Sequence, residues 1–279
     1  MILSDIHMHT DFSSDSKSPM ESMIQGAIEK GLKTICFTEH LDYEYPADNS
    51  QDLFLVDIDA YQKKLYTLKE VYQNDIDILF GIEFGLLPHL SKRYEAIASS
   101  YDFDFIIGSS HLVPAPWYLN DSRHGDPYDD SFWEGRSVED ICEAYFQSII
   151  DNISSYKNFD TYGHIDYIIR YAPEKNKDYS YKKYAHKLDP ILKSLIENDI
   201  ALEVNTAGFK YGLGFCHPYP EIIKRYKQLG GEIITIGSDG HKPEHIAYDF
   251  DKGNDILTAC GFKYYTEFVE RKPVFCAIR

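Results

Sequence analysis

The chain has 279 residues, with 28 Lys and Arg against 45 Asp and Glu for a formal net charge of −17, and 43% of it is hydrophobic. Such an apolar share excludes intrinsic disorder, and the acidic balance argues against a nucleic-acid or anionic-membrane surface, because both select clustered positive charge. No apolar run approaches the roughly 20 residues of a membrane span, and the opening MILSDIHMHT meets acid and histidine too early for a signal peptide, so a cytoplasmic location is expected.

In chain order, the first short β-type run is Ile2 to Ile6. Ser18-Pro19 then opens a helix that stops at Gly31. A strand at Thr34 to Thr38, a helix around 57–73, a strand at Asp77 to Glu83, a helix near 91–99 and a strand from Phe103 to Ser109 follow. A polar and aromatic insertion (112–136) precedes a helix at about 137–156. Strands at Phe159 to Tyr162, Ile200 to Val204 and Glu232 to Ile236 alternate with helices at about 180–198 and 218–229, and a helix-strand pair around 252–269 ends the series. This alternation predicts a parallel sheet flanked by helices. Seven or eight units in about 270 residues fit a closed α/β barrel, one domain over residues 1–279, better than two open sheets. No Gly-x-Gly-x-x-Gly follows the first strand, so a dinucleotide fold lacks its fingerprint. Five scattered cysteines (Cys36, Cys142, Cys216, Cys260, Cys276) without a C-x-x-C pair suit buried thiols in a reducing compartment.

The informative pattern is what stands at the strand ends. Strand one ends in His7-Met8-His9, strand two in Glu39-His40, strand three in Glu83 and strand four in His111. Strand five ends in His164, strand six in Asn205, and strand seven in Asp239 with His241 beyond. In a parallel barrel all these ends open onto one face, which carries the active site. His7 and His9, two apart on a strand, face the same side. A ring of imidazoles and carboxylates at one mouth suits zinc, iron or manganese. His89, His124, His186, His217 and His245 lie outside this register and read as surface or structural residues, the last two nearer the mouth.

The stretches DIHMHTDFSSD (5–15), FTEH (37–40), GIEFG (81–85), GSSH (108–111), GHID (163–166), EVNTAG (203–208) and GSDGH (237–241) resemble the PHP (polymerase and histidinol phosphatase) superfamily, and within it the histidinol-phosphate phosphatases. The resemblance implies a distorted TIM-like (β/α)7 barrel with its active site at the C-terminal strand ends and two or three divalent ions. It assigns His7, His9, Glu83 and Asp239 to a first ion, Glu83, His111 and His164 to a second, and Asp15, His40 and His241 to a third. Many members carry histidine where this chain has Asp15, and an oxygen ligand there favours a harder ion such as Mn or Fe.

The implied reaction is hydrolysis of L-histidinol phosphate to L-histidinol and phosphate, in L-histidine biosynthesis. A hydroxide bridging two metals would attack phosphorus, and Asp239 or His241 would relay a proton to the leaving alkoxide. Arg170 and Lys210 are the cations best placed to clamp phosphate, with Arg123 a weaker third candidate. The 112–136 insertion carries Trp117, Trp133, Asp126, Asp129 and Asp130, and is expected to act as a lid that recognises imidazole and ammonium. The expected partner is a small phosphate ester, with no nucleic acid and no membrane, the protein being a monomer or small homo-oligomer. Rival readings are another small phosphoester, a phosphotyrosyl protein or a phosphodiester as substrate, an amidohydrolase-like reaction, and a non-catalytic metal-stabilised domain. The amidohydrolase pattern places a bridging lysine where this chain has Glu83.

Overall fold

The structure is a computed structural model that describes residues 1–46, 53–115, 124–175 and 177–278. Strand β1 (Ser4–Met8) is followed by α1 (Met20–Glu29), β2 (Thr34–Asp42), α2 (Ile58–Val71), β3 (Asp77–Gly85), α3 (Ser91–Ser100) and β4 (Phe105–Ser109). Two short paired segments, β5 (Val113–Pro114) and β6 (His124–Gly125), come before α4 (Val138–Ser155) and β7 (Thr161–Tyr162). Then follow α5 (Tyr181–Glu197), β8 (Ala201–Asn205), α6 (Ala207–Lys210), α7 (Pro220–Gln228), β9 (Ile234–Gly237), α8 (Phe250–Ala259), β10 (Tyr264–Val269) and β11 (Lys272–Ala277). Side-chain caps set several helix starts: Asp57 accepts from the Ala60 amide at 3.0 Å and Ser137 from the Asp140 amide at 3.0 Å. No described helix is long and apolar enough to cross a membrane.

The main sheet has the order β1-β2-β3-β4-β7-β8-β9, with every pairing parallel. It closes on itself where Met8 bridges Gly240 and the His9 amide donates to the Gly240 carbonyl at 2.9 Å. A seven-stranded barrel results, with all C-terminal strand ends on one rim.

Alternation along the strands divides the residues between two jobs. Ile35, Phe37, Ile78, Phe80, Ile82, Leu202 and Val204 turn outward into the large core beneath the helices. Cys36, Leu79, Phe105, Ile107 and Ala201 form a second apolar cluster with Ile6. Further along the same inward series stand His40, Glu83, Ser109 and Glu203, so one face of each strand is apolar at its start and polar at its end. A bulge between Asp5 and Met8 interrupts the series in β1, which runs past the predicted Ile6 and takes in His7.

The predicted eighth unit does not join the barrel. β10 pairs antiparallel with β11, a strand the sequence reading did not separate, through a two-residue turn in which Glu270 and Arg271 have φ of 49° and 62°. Such a turn makes a hairpin rather than a parallel crossover. The hairpin sits at the start of the strands: Phe268 is buried in the inner apolar cluster, Arg271 Nε lies 2.5 Å from Asp160 Oδ2, and the Arg271 amide donates to the Asp104 carbonyl.

Removing the Phe268 ring should therefore leave a void far from the rim. Phe268→Ala is expected to cost about 3–5 kcal/mol in urea unfolding while the folded variant keeps the metal content of the parent; a midpoint unchanged from the parent would contradict this packing role.

Candidate metal centre

All nine residues that the resemblance assigns to metal ions converge on the rim. Glu83, at the centre and fully buried, uses both oxygens. Its Oε1 lies 3.2 Å from His111 Nε2 and 3.1 Å from His164 Nε2; its Oε2 lies 3.3 Å from His7 Nε2, 3.6 Å from His9 Nε2 and 3.2 Å from His40 Nδ1. Asp239 Oδ1 is 3.5 Å from His9 Nε2 and 3.5 Å from His241 Nδ1. Asp15, from the loop after β1, puts Oδ2 at 3.0 Å from His241 Nε2 and 3.6 Å from His40 Nε2.

Local backbone geometry aims these groups. His164 and Asp239 have φ of 25° and 51°, left-handed conformations that a side chain adopts at a cost of roughly 1–3 kcal/mol. The His164 amide is held there by Glu203 Oε2 at 2.8 Å. Gly237 and Gly85 allow close approach, since a Cβ at the first would strike His7 Cβ and at the second the Asp42 carboxylate. Behind the imidazoles stand acids that the sequence reading missed. Glu203 Oε1 lies 2.5 Å from His7 Nδ1, and Asp42 Oδ1 lies 2.6 Å from His111 Nδ1, each turning the other ring nitrogen toward the centre. Glu39, read only as a strand-end acid, accepts from the Thr10 amide and both the Thr10 and Ser13 hydroxyls, which fixes the loop carrying His9 and Asp15.

Charge in this cluster is mutually arranged. Burial alone would raise Glu83 and Asp239, yet His7, His111 and His40 hold Glu83 well below the usual carboxylate range, and His9, His7 and His241 do the same for Asp239. Burial depresses His111, but Asp42 and Glu83 outweigh it and push the ring up to about 9. His9 goes the other way, lowered by burial and by neighbouring His40 and His241.

These donors fit divalent cations. Ligand atoms sharing a tetrahedral ion at about 2.1 Å stand about 3.4 Å apart, close to the spacings around Glu83. His9 Nε2, His40 Nδ1, His241 Nε2 and Asp42 Oδ2 are buried with no hydrogen-bond partner among the described residues, and a bound cation would satisfy the nitrogens. Four triads bring one donor atom from each residue within 4.8 Å of one another: His7-His9-Asp239, His7-Glu83-His164, His40-Glu83-His111 and His9-His40-His241.

The cluster opens into a cavity of about 560 Å³. Arg170, Lys210, Lys242 and His245 are among its lining residues, as are Tyr45, Phe54 and Tyr128. Arg170 Nη1 is 3.5 Å from Asp239 Oδ2 and Lys210 Nζ donates to the Asp239 carbonyl at 2.9 Å. Other expectations resolve differently. Trp133 is buried and its indole donates to the Pro127 carbonyl, so it packs the insertion instead of facing a ligand; Asp129 caps a turn at Ser131, and Asp130 opens that same turn. Asp126 accepts from the hydroxyl of Tyr45, a lining residue of the cavity. His89 and His186 are exposed and pair with Glu44 and Glu143, and buried His217 pairs with Asp166. Trp117 and Arg123 lie outside the described residues.

The PHP domain family model matches residues 5–207. A "Probable histidinol-phosphatase" of Clostridium acetobutylicum is 32% identical over 259 residues, 93% of this chain and 94% of that one. The histidinol-phosphatase of Lactococcus lactis subsp. lactis is 28% identical over 272 residues, 95% of this chain and 93% of that one. The crystal structure of histidinol phosphate phosphatase from Lactococcus lactis subsp. lactis, complexed with Zn, L-histidinol and phosphate, superposes with a TM-score of 0.85 at 28% identity, covering 97% of this chain and 98% of that one.

Two outcomes follow from the acids and the imidazole charge. Asp42→Asn should weaken zinc binding by about 10–100-fold, read by competition with a chromophoric chelator; unchanged affinity would contradict its orienting role. Because a ring whose pKa is raised to about 9 carries a proton below that pH, metal must displace it. Zinc affinity should thus rise from pH 6 towards 9 with release of protons to buffer, and a flat profile would contradict the charge arrangement.

Proposed function

This chain belongs to the PHP domain family, and from that premise we propose that it is a metal-dependent phosphatase that hydrolyses L-histidinol phosphate to L-histidinol and phosphate. The carrying observation is the buried Glu83 carboxylate, approached on both oxygens by imidazoles, beside a cavity with Arg170 and Lys210 in its wall. The relatives named for this activity cover nearly the full chain, and the Lactococcus structure holds Zn with both product species.

In this reading His7, His9, Glu83 and Asp239 would hold one ion, Glu83, His111 and His164 a second, and Asp15, His40 and His241 a third. The imidazole-rich sets favour zinc, and the Asp15 oxygen widens the third to Mn or Fe. Bound divalent ions supply Lewis acidity toward phosphoryl oxygens and lower the pKa of water. The chain does the rest. Arg170 and Lys210 neutralise the outer oxygens of the dianion, and their contacts with Asp239 keep both cations within the wall. Asp239 or His241, with His241 Nδ1 3.0 Å from the Asp239 carbonyl oxygen, would relay a proton taken from water to the departing alkoxide. Tyr45, Phe54 and Tyr128 offer aromatic faces to the cationic end of the substrate, and Asp126 behind Tyr45 adds negative charge. The net −17 is compatible with an anionic substrate because the local field is set at the rim.

Metal-reconstituted protein assayed against histidinol phosphate, p-nitrophenyl phosphate, a phosphodiester and a dipeptide should release phosphate fastest from histidinol phosphate. Amide cleavage alone would overturn the reading. Glu83→Ala should lower kcat at least about a hundredfold with little change in circular dichroism; an active variant would remove Glu83 from the centre of the mechanism.

A further inference from the structure

Arg170 is held by an aromatic cage. Its guanidinium carbon lies 4.3 Å from the ring centre of Tyr167, 4.3 Å from that of Tyr211 and 4.8 Å from that of Tyr171. Within this cage the Tyr171 hydroxyl receives two donors: Arg170 Nη2 at 2.6 Å and the Tyr167 hydroxyl at 3.2 Å. A phenol oxygen has two acceptor sites and one proton. With both acceptor sites engaged, the remaining capacity is the O–H itself, and among the described residues it has no acceptor. Tyr171 lines the same cavity as Arg170, Asp239 and His111. A hydroxyl that accepts from a guanidinium and a second phenol is polarised toward donation, and it bonds best to an anionic oxygen.

We propose that Tyr171 is a further substrate-contacting residue, donating its hydroxyl proton to a phosphoryl oxygen of the ester beside Arg170. This rests on the phosphatase reading and adds a neutral donor to its cationic clamp. Arg170 and Tyr171, adjacent in sequence, then act as a two-donor unit, oriented by the Tyr167 ring and hydroxyl.

The test uses metal-loaded full-length protein and two readouts, the affinity for inorganic phosphate by calorimetry and kcat/KM for histidinol phosphate. Tyr171→Phe keeps the ring and removes the hydroxyl, and it should weaken phosphate binding about tenfold or more, with a matching fall in kcat/KM. A residue that only propped Arg170 would matter no further once Arg170 is gone. The decisive comparison is therefore Arg170→Ala against the Arg170→Ala/Tyr171→Phe double variant, both checked for metal stoichiometry. A further loss of about fivefold in the double variant supports direct donation. Equal phosphate affinity in these two variants overturns it. If the unsubstituted protein binds no phosphate, the phosphatase reading falls and carries this one with it; if it binds phosphate and Tyr171→Phe binds as well, only the role of Tyr171 falls.

Discussion

A fully buried carboxylate is unfavourable as an ion unless compensating charge surrounds it. Glu83 is buried to that degree and remains ionised because imidazoles from β1, β2 and the segments after β4 and β7 reach it from both sides. Those groups are supplied by segments as far apart as His7 and His164, so they meet only when the sheet has curled into a barrel. The rim chemistry and the closure of the fold are one constraint seen from two ends.

The rest of the barrel supports that centre. Apolar inward side chains fill the start of the strands, and the β10–β11 hairpin caps them with Phe268. At the other end the inward positions turn polar, and a further layer of acids, Glu203, Asp42 and Glu39, orients the imidazoles and the loop that brings Asp15. Strained backbone at His164 and Asp239 persists because neighbouring groups hold it, as the Glu203 bond to the His164 amide illustrates. Two of the cationic side chains that line the cavity, Arg170 and Lys210, both contact Asp239.

Much of this was legible in the chain before folding. Helix and strand order followed from periodicity, and the register of His, Glu and Asp at strand ends indicated which residues would share a rim. The acids behind the imidazoles were harder to find, because a carboxylate that orients a histidine looks like any other buried acid. A signal was present: Asp42 stands two residues after His40 and Glu203 two before Asn205, on the inward parity of their strands. The fate of the last strand was not legible, since Tyr264–Val269 has the composition of a barrel strand and only its pairing with Lys272–Ala277 diverts it. Trp133 and the Arg170 cage illustrate the same limit. Local pattern says that an aromatic residue will be buried, whereas which partner it meets depends on contacts made across the whole fold.

The most direct measurement is X-ray diffraction at the zinc absorption edge from crystals of the zinc-loaded protein. A metal centre built on Glu83 should give strong anomalous peaks on either side of that carboxylate, one within about 2.3 Å of His7, His9 and Asp239 and one equally near His111 and His164. Peaks confined to surface histidines such as His89 and His186, or none at the rim in protein shown to be folded, would contradict it.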